Sequence, residues 1–224
     1  MILNNIKFIK DLIVVIPAFN EEKTIGKLVF EIKKTCDVLV VDDCSKDGTR
    51  KVSFENGAIV HSNKKNKGYS YSINFGIKKA QSLNYKYAIT LDADGQHDPK
   101  YITIFYDNLQ SFDLVCGERD FMQRFAEKFG SFITNLIYNI KDPLCGFKGY
   151  NLKSFLFIKN KSFEKYNLIG MELLFIALNN KLPVIQVPIK CRNRFDENRF
   201  GNGLRINLKI IKSIFKGIYL KKLN

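Results

Sequence analysis

Asp92 and Asp94 flank Ala93 directly after the apolar run Tyr87 to Leu91. Two carboxylates at i and i+2 can face one side of an extended turn. Left alone they repel, and one is driven toward protonation. A hard divalent cation removes that conflict. Mg2+ or Mn2+ prefers oxygen ligands and keeps positions open for phosphate oxygens. Gln96, His97, Asp98 and Pro99 follow at once. This density of ligand-type side chains points to a metal site that takes a diphosphate, with Asp92, Asp94 and Gln96 as its protein side. A solvated turn capping a helix is the competing reading, and Pro99-Lys100 does suit a helix start. His97 fits a surface or helix-start histidine as well as it fits a ligand.

Two further polar groups close apolar runs. Asn20-Glu21 follows Leu12 to Ile16 and Pro17, and Asp42-Asp43 follows Val38 to Val41. A carboxylate at Asp42 can accept hydrogen bonds from a base or ribose. Asp47-Gly48 reads better as a turn with Asx-type hydrogen bonds.

The elements that must position these groups follow from periodicity. Continuous apolar runs predict strands at Leu12 to Ile16, Val38 to Val41, Ala58 to His61, Tyr87 to Leu91 and Asp113 to Cys116. Apolar residues at helical spacing predict helices over Glu22 to Thr35 and Tyr69 to Leu83. Strands alternating with amphipathic helices make a mostly parallel α/β sheet covered on both faces. Ligands bind such sheets outside the carboxyl ends of the strands, which is where the acids gather. The second half is less regular. Phe125 to Ile140, Asn151 to Lys159, Gly170 to Asn179 and Asn207 to Tyr219 read as helices, and Val184 to Val187 as a strand closed by Pro188. Phe195 to Gly203 is polar and Gly-containing, and reads as a mobile loop.

The 224 residues suffice for one domain with a sizeable core. Residues 1–203 read as a single catalytic domain and 204–224 as a basic amphipathic helix. Five cysteines, none in C-x-x-C spacing, suit reduced thiols in a cytoplasmic setting better than a finger or disulfide scaffold. No signal peptide or membrane-spanning helix is expected, because the longest apolar runs fall far below the roughly 18 residues a span needs. Net charge is +14, and Lys190 to Asn224 holds ten basic and two acidic residues. Such a field favours phosphorylated ligands, anionic membrane or nucleic acid. Acids at three strand ends argue against nucleic acid, and there is no RNA-recognition motif, finger or basic-region helix. A nucleotidyltransferase would want a Gly-rich loop near the N-terminus, and Pro17 to Glu22 has no glycine.

Taken together the motifs carry a family resemblance. Val15-Ile16-Pro17-Ala18-Phe19-Asn20-Glu21-Glu22 resembles the opening of family 2 glycosyltransferases, and Val40 to Thr49 their V-D-D-x-S-x-D-G-T. Asn66-Lys67-Gly68 with Gly76 is similar to their N-x-G segment and following helix. Leu91 to Pro99 is similar to the D-A-D-x-Q-H-x-P of dolichyl- and polyprenyl-phosphate sugar transferases. Gly117-Glu118-Arg119, Asp142 to Lys148, Val187-Pro188-Ile189 and Arg194 to Gly201 resemble their G-x-R, D-x-x-x-G-F-[KR], V-P-I and late basic loop. The match is collinear over roughly Ile13 to Leu208.

The resemblance implies a GT-A (Rossmann-like) fold and an inverting transfer. The sugar would move from a GDP- or UDP-linked donor to a polyprenyl or dolichyl phosphate. It implies that Pro17, Phe19 and Glu21 border the nucleotide with Asp42 and Asp92, and that Asp92, Asp94 and Gln96 hold metal and donor phosphates. Arg119, Lys128, Arg194, Asn198 and Arg199 would meet the acceptor phosphate. Asp94, Arg119, Arg194 and Glu172 are the catalytic candidates. Glu172 sits where the family often carries an acid on a helix. The sequence departs from the pattern at Phe19 (Tyr is common), Asn198 (Ser is common) and Lys128 (Arg is frequent). A family 2 transfer to a glycan or other hydroxyl acceptor is the alternative, and it needs a general base, for which Glu172 is the obvious candidate.

One stripe remains outside the motifs. Ile210, Ile211, Ile214, Phe215 and Ile218 share one helical face, and Lys209, Lys212 and Lys216 share the other. That pattern fits a helix lying on an anionic membrane, which would make the protein peripheral on the cytosolic face. It fits equally a helix packed on the core with a solvated basic edge.

Overall fold

In a computed structural model the described residues are 8–121, 125–156, 168–192 and 204–219. The chain runs β1 (Ile9–Ala18), α1 (Glu22–Lys33), β2 (Cys36–Asp42), α2 (Thr49–Glu55), β3 (Ile59–Ser62), α3 (Tyr69–Ser82) and β4 (Tyr87–Thr90). It continues through a 3-10 turn into α4 (Ile102–Leu109), β5 (Leu114–Arg119), α5 (Phe125–Tyr138), β6 (Lys148–Asn151), α6 (Ile169–Asn179), β7 (Val184–Ile189) and α7 (Leu204–Tyr219). The strands form one sheet in the order β3-β2-β1-β4-β6-β5-β7. Among the described strands only β6 runs antiparallel to its neighbours. Because β2, β1 and β4 are adjacent and parallel, their carboxyl ends share one edge. Asp42, Phe19 and Asp92 stand there.

The sheet is buried on both faces, which is why its central strands read as unbroken apolar runs. Leu12, Val14 and Ile16 meet Ile25, Val29 and Ile32 of α1 on one side, where Phe105 of α4 joins the same cluster. Ile13, Val15 and Val41 meet Ile73 and Ile77 of α3 and Leu173 and Leu174 of α6 on the other. A third cluster joins Ala126 of α5, Met171 and Phe175 of α6, and Ile210 and Ile214 of α7. Gly130 lets α5 and α7 close, since a Cβ there would stand 2.4 Å from Ile214 Cδ1.

Several expectations change. Pro17 does not stop β1, which continues to Ala18. Its pairing with β4 has ended at Val15 and Thr90, so Pro17 stands where β1 has one neighbour, a place where a strand tolerates a missing N–H. Pro188 likewise lies inside β7, a strand paired only with β5. The helix expected from Asn151 is absent at its described start, where Asn151 closes β6 and turns follow. Strand β6, with the unpromising sequence Lys-Gly-Tyr-Asn, was not foreseen. The slot between β4 and β5 imposes it. The loop expected at Phe195 to Gly203 lies outside the described residues. On α7, Ile210 and Ile214 are buried in the third cluster, with Ile211 and Ile218 packed partly against it. The four isoleucines of the stripe are thus turned to the core, while Phe215 is left 54% exposed. No described helix is long and apolar enough to cross a membrane.

The tight seat of α3 on the sheet offers a stability test. A Cβ on Gly76 of α3 would lie 2.2 Å from Val15 Cγ1. Gly76→Ala is expected to cost about 1–3 kcal/mol through overpacking, read as a lower urea midpoint at unchanged slope.

Candidate active site

The edge is first built by hydrogen bonds between the loops. Asn20, with φ 55°, donates its N–H to Ser45 Oγ at 2.9 Å and accepts from Lys46 N at 2.8 Å. Glu21 N donates to Thr49 Oγ1 at 2.7 Å. The loop after β1 is thereby fastened to the loop after β2. Asp47 does the turn work assigned to it: Oδ1 accepts from Thr49 N at 3.0 Å, and Oδ2 from Glu22 N at 3.2 Å.

The paired acids of β2 divide their labour. Asp42 is buried, and its Oδ1 accepts from Ser45 N at 3.0 Å. Asp43 is a clamp. It accepts from Asn63 Nδ2 at 2.7 Å, Lys67 N at 2.9 Å and Gly68 N at 2.7 Å. That fixes the start of α3, and with it Tyr69, whose hydroxyl donates to Asp92 Oδ1 at 2.8 Å. Pro17 is buried, Phe19 exposed and Glu21 half-buried on the same edge.

Asp92 is held from three sides. Besides Tyr69, its N–H donates to His97 Nδ1 at 3.3 Å. Gly146 packs on the carboxylate so closely that a Cβ would sit 2.7 Å from Oδ2. Burial holds His97 below the usual imidazole value, although Asp92 and Asp94 oppose that shift, so the ring is neutral at neutral pH. With Nδ1 accepting, its proton stands on Nε2, 4.0 Å from Cys145 Sγ. Asp94 is buried and takes Gln96 N on Oδ1 at 3.0 Å. Among the described residues no cluster of three or more His, Cys, Asp or Glu side chains could cage a metal. Two carboxylates on one turn, with Asp92 side chain 34% exposed, fit a hard divalent cation that completes its shell with water and phosphate oxygens. They do not fit a closed structural zinc site.

Beyond Gln96 the site gains cations. The Gln96 carbonyl accepts from Arg192 N at 2.8 Å, and the Arg192 guanidinium bonds Asp98 at 2.9 Å and Glu31 at 3.1 Å. Arg119, at the end of β5, forks onto Asp142 through Nε at 2.7 Å and Nη2 at 3.0 Å, with Glu127 3.8 Å away. Lys148 is buried and spends its ammonium on the carbonyls of Pro143 and Cys145, tying down the loop that carries Asp142 and Gly146. A cavity of about 50 Å3 adjoins this group, lined by Tyr69, Ile73, Gly146, Lys148, Gly170 and Met171 among others. Lys128 lies exposed on α5. Arg194, Asn198 and Arg199 lie outside the described residues.

Glu172 stands apart from the acids of the strand ends. It occupies the first turn of α6. Burial raises its carboxyl to about 7, and Lys216 of α7 works against that rise. Its Oε2 has no hydrogen-bond partner among the described residues.

The sequence profile of Glycosyl transferase family 2 matches residues 13–168. The chain belongs to that family. It is a glycosyltransferase. It is 31% identical over 229 residues to the UDP-N-acetylglucosamine–dolichyl-phosphate N-acetylglucosaminyltransferase of Methanococcus voltae, covering 88% of this chain and 91% of that one. Polyprenol monophosphomannose synthase of Mycolicibacterium smegmatis is 24% identical over 233 residues, covering 91% and 84%. The fold of the transferase is GT-A. It matches glucosyl-3-phosphoglycerate synthase of Mycobacterium tuberculosis, solved with Mn2+, UDP and glucosyl-3-phosphoglycerate, with a TM-score of 0.73, 17% identity, and coverage of 94% and 79%.

The motif Asp142 to Lys148 was visible in the sequence, but not what its residues do: Asp142 pairs with Arg119, Gly146 packs on Asp92 and Lys148 holds the loop between. Tyr69, which holds Asp92, was not singled out at all.

Two outcomes follow for the transferase. Asp142→Ala leaves the Arg119 guanidinium without its fork in a largely buried place. It is expected to lower stability by about 3 kcal/mol, measured by urea unfolding. Glu172 keeps its proton in the folded state up to about pH 7, whereas an unfolded glutamate releases it near pH 4.3. The side chain therefore favours the unfolded state increasingly as pH rises between those values. Glu172→Gln should raise Tm relative to the wild type at pH 8 and leave it unchanged at pH 4.

Proposed function

We propose that this transferase moves a sugar from a nucleoside-diphosphate donor to the phosphate of a polyprenyl or dolichyl lipid, by single inversion and with Mg2+ or Mn2+ on Asp92 and Asp94. The observation that carries the metal reading is the way Asp92 is fixed. Tyr69, His97 and Gly146 hold a partly exposed carboxylate beside Asp94 at the carboxyl edge of β4. The lipid acceptor is supported by the names of the relatives from Methanococcus voltae and Mycolicibacterium smegmatis. A divalent ion at this turn would neutralise the charge that builds on the departing diphosphate. Pro17, Phe19, Glu21 and Asp42 border the nucleotide in this reading, with Gln96 beside the diphosphate.

The reaction balances without a proton. An acceptor phosphate oxygen, already anionic at neutral pH, forms the new bond to the anomeric carbon. The bond from that carbon to the donor phosphate breaks, and the nucleoside diphosphate leaves with the electron pair. Arg119, Lys128, Arg194, Asn198 and Arg199 are the groups assigned to the acceptor phosphate. Arg119 is pre-ordered for this by Asp142. Work at a cytosolic membrane face follows from the lipid acceptor.

A hydroxyl acceptor would need a base, and Glu172, with its raised carboxyl, has a suitable pKa. Its neighbours Gly170 and Met171 line the cavity beside Asp92, but the opposing charge it meets is Lys216 of α7. That position favours the phosphate acceptor.

The test is a screen of radiolabelled UDP- and GDP-sugars against polyprenyl phosphate, with Mn2+, with Mg2+ and with EDTA. Transfer should appear for one donor class and vanish with EDTA. Asp94→Ala should lower kcat/KM by about a hundredfold or more and weaken Mn2+ binding measured by electron paramagnetic resonance with nucleoside diphosphate present. Undiminished transfer by Asp94→Ala would remove the metal assignment. Transfer to glycans but not to polyprenyl phosphate would remove the acceptor.

A further inference from the structure

Helix α5 exposes an apolar face that nothing among the described residues covers. Phe125 is 75% exposed, Phe129 37%, Phe132 68% and Leu136 77%, and Phe121 just before the helix is 67% exposed. Spacing of four, three and four places these helical residues on one stripe. Phe125 and Phe129 stack, with ring centroids 6.5 Å apart. The opposite side of the helix, Ala126, Glu127, Gly130 and Thr134, is buried. Ile137 of α5 is exposed as well, and α7 exposes Leu208 and Phe215; the exposed Phe30 of α1 and Phe54 of α2 stand singly, and single exposed residues of that kind need no partner. A row of four on one helix marks a contact surface.

The charges around the stripe decide what it contacts. The only acid on α5 is Glu127, which is buried beside Arg119, so the exposed face carries no carboxylate. Lys128 is exposed three residues after Phe125 and four before Phe132, which makes it a surface neighbour of both. Lys212 and Lys216 are exposed on α7, the helix packed against α5. An aromatic and aliphatic row on a helix whose one acid is buried, with exposed lysines beside it, suits the headgroup boundary of an anionic bilayer. A second copy of the chain would bring the same positive charge to the contact.

We infer that the outer face of α5, not the apolar stripe of α7, is the membrane-contact surface of this transferase. Phe125, Phe129, Phe132 and Leu136 enter the acyl boundary, and Lys128 meets anionic headgroups. The face runs away from Arg119, whose partner Glu127 lies in the first turn of α5. A lipid held along it presents its phosphate near the site edge. That last step rests on the lipid-phosphate acceptor proposed above; the membrane contact itself does not.

The test separates the two. Cosedimentation of the full chain with vesicles of phosphatidylcholine and phosphatidylglycerol, without donor or acceptor, reads membrane contact alone. Phe125→Ser, Phe132→Ser and Leu136→Ser combined should lower the partition coefficient about tenfold or more, from the apolar area withdrawn. Binding by the wild type should weaken with added salt. The variant should keep the wild-type circular dichroism and, with a short water-soluble prenyl phosphate, its kcat/KM. Vesicle binding within twofold of wild type overturns the inference. So does a parallel loss with the soluble acceptor, or a shift from dimer to monomer in sedimentation velocity. Failure to transfer to any prenyl phosphate, with vesicle binding intact in the wild type and lost in the variant, would instead remove the acceptor reading and leave this surface standing.

Discussion

Two like charges on one turn are the constraint around which the rest of this molecule is arranged. Asp92 and Asp94 stand two residues apart on one turn, and the groups fixed around them set their separation. Several of those supports are neutral. A tyrosine hydroxyl donates to Asp92 and the Gln96 amide to Asp94. The buried ring beneath Asp92 is a neutral imidazole, which supports the backbone without cancelling the carboxylate. A glycine at 146 lets a loop lie against Asp92 without pushing it aside. Gln96 and His97 belong to the turn itself, but Tyr69 comes from the start of α3 and Gly146 from the loop before β6, so the turn has its full support only in the complete sheet.

The cations of the site are treated in the opposite way. Arg119 and Arg192 both arrive already paired with carboxylates. Pairing lowers the immediate pull on a phosphate, but it leaves the guanidinium ordered before any ligand comes. An ordered fork loses less freedom on binding than a free side chain does. Lys148 contributes by a longer route, holding the carbonyls of Pro143 and Cys145 and so the loop from which Asp142 and Gly146 reach the two charges they serve.

What the sequence could disclose follows from how local each cause is. Strands β1, β2 and β4 were legible because each is an apolar run buried in the sheet and punctuated by Asp or Pro, while β3 is a short, half-exposed edge strand. Asp92 and Asp94 were legible for the same reason, being chemistry placed at the end of such a run. The hidden features are those whose cause is distant. Strand β6 has no β-forming signature, and only its neighbours make it a strand. Tyr69 and Asp92 are 23 residues apart, and Asp142 and Arg119 also 23; the strand order, not the spacing, joins them. The stripe on α7 was ambiguous because periodicity reports that a face is apolar but not what covers it. Once α5 and α6 are seen to cover its isoleucines, the longer exposed apolar row is the one on α5.

The antiparallel strand also has a meaning in time. Strands β1 to β4 pair only among themselves until β6 arrives on the open side of β4. Strand β5 borders β6 and β7 but never β4. As the chain leaves the ribosome, the half bearing Asp42 and Asp92 can therefore assemble from short-range contacts, while Arg119 waits on a strand with no neighbour. Insertion of residues 148–151 then welds the two halves and, in the same event, brings Gly146 to Asp92 and Asp142 to Arg119. Until then β4 offers a bare edge to any passing strand, so the nascent enzyme is most prone to aggregate just before it becomes able to hold its substrates.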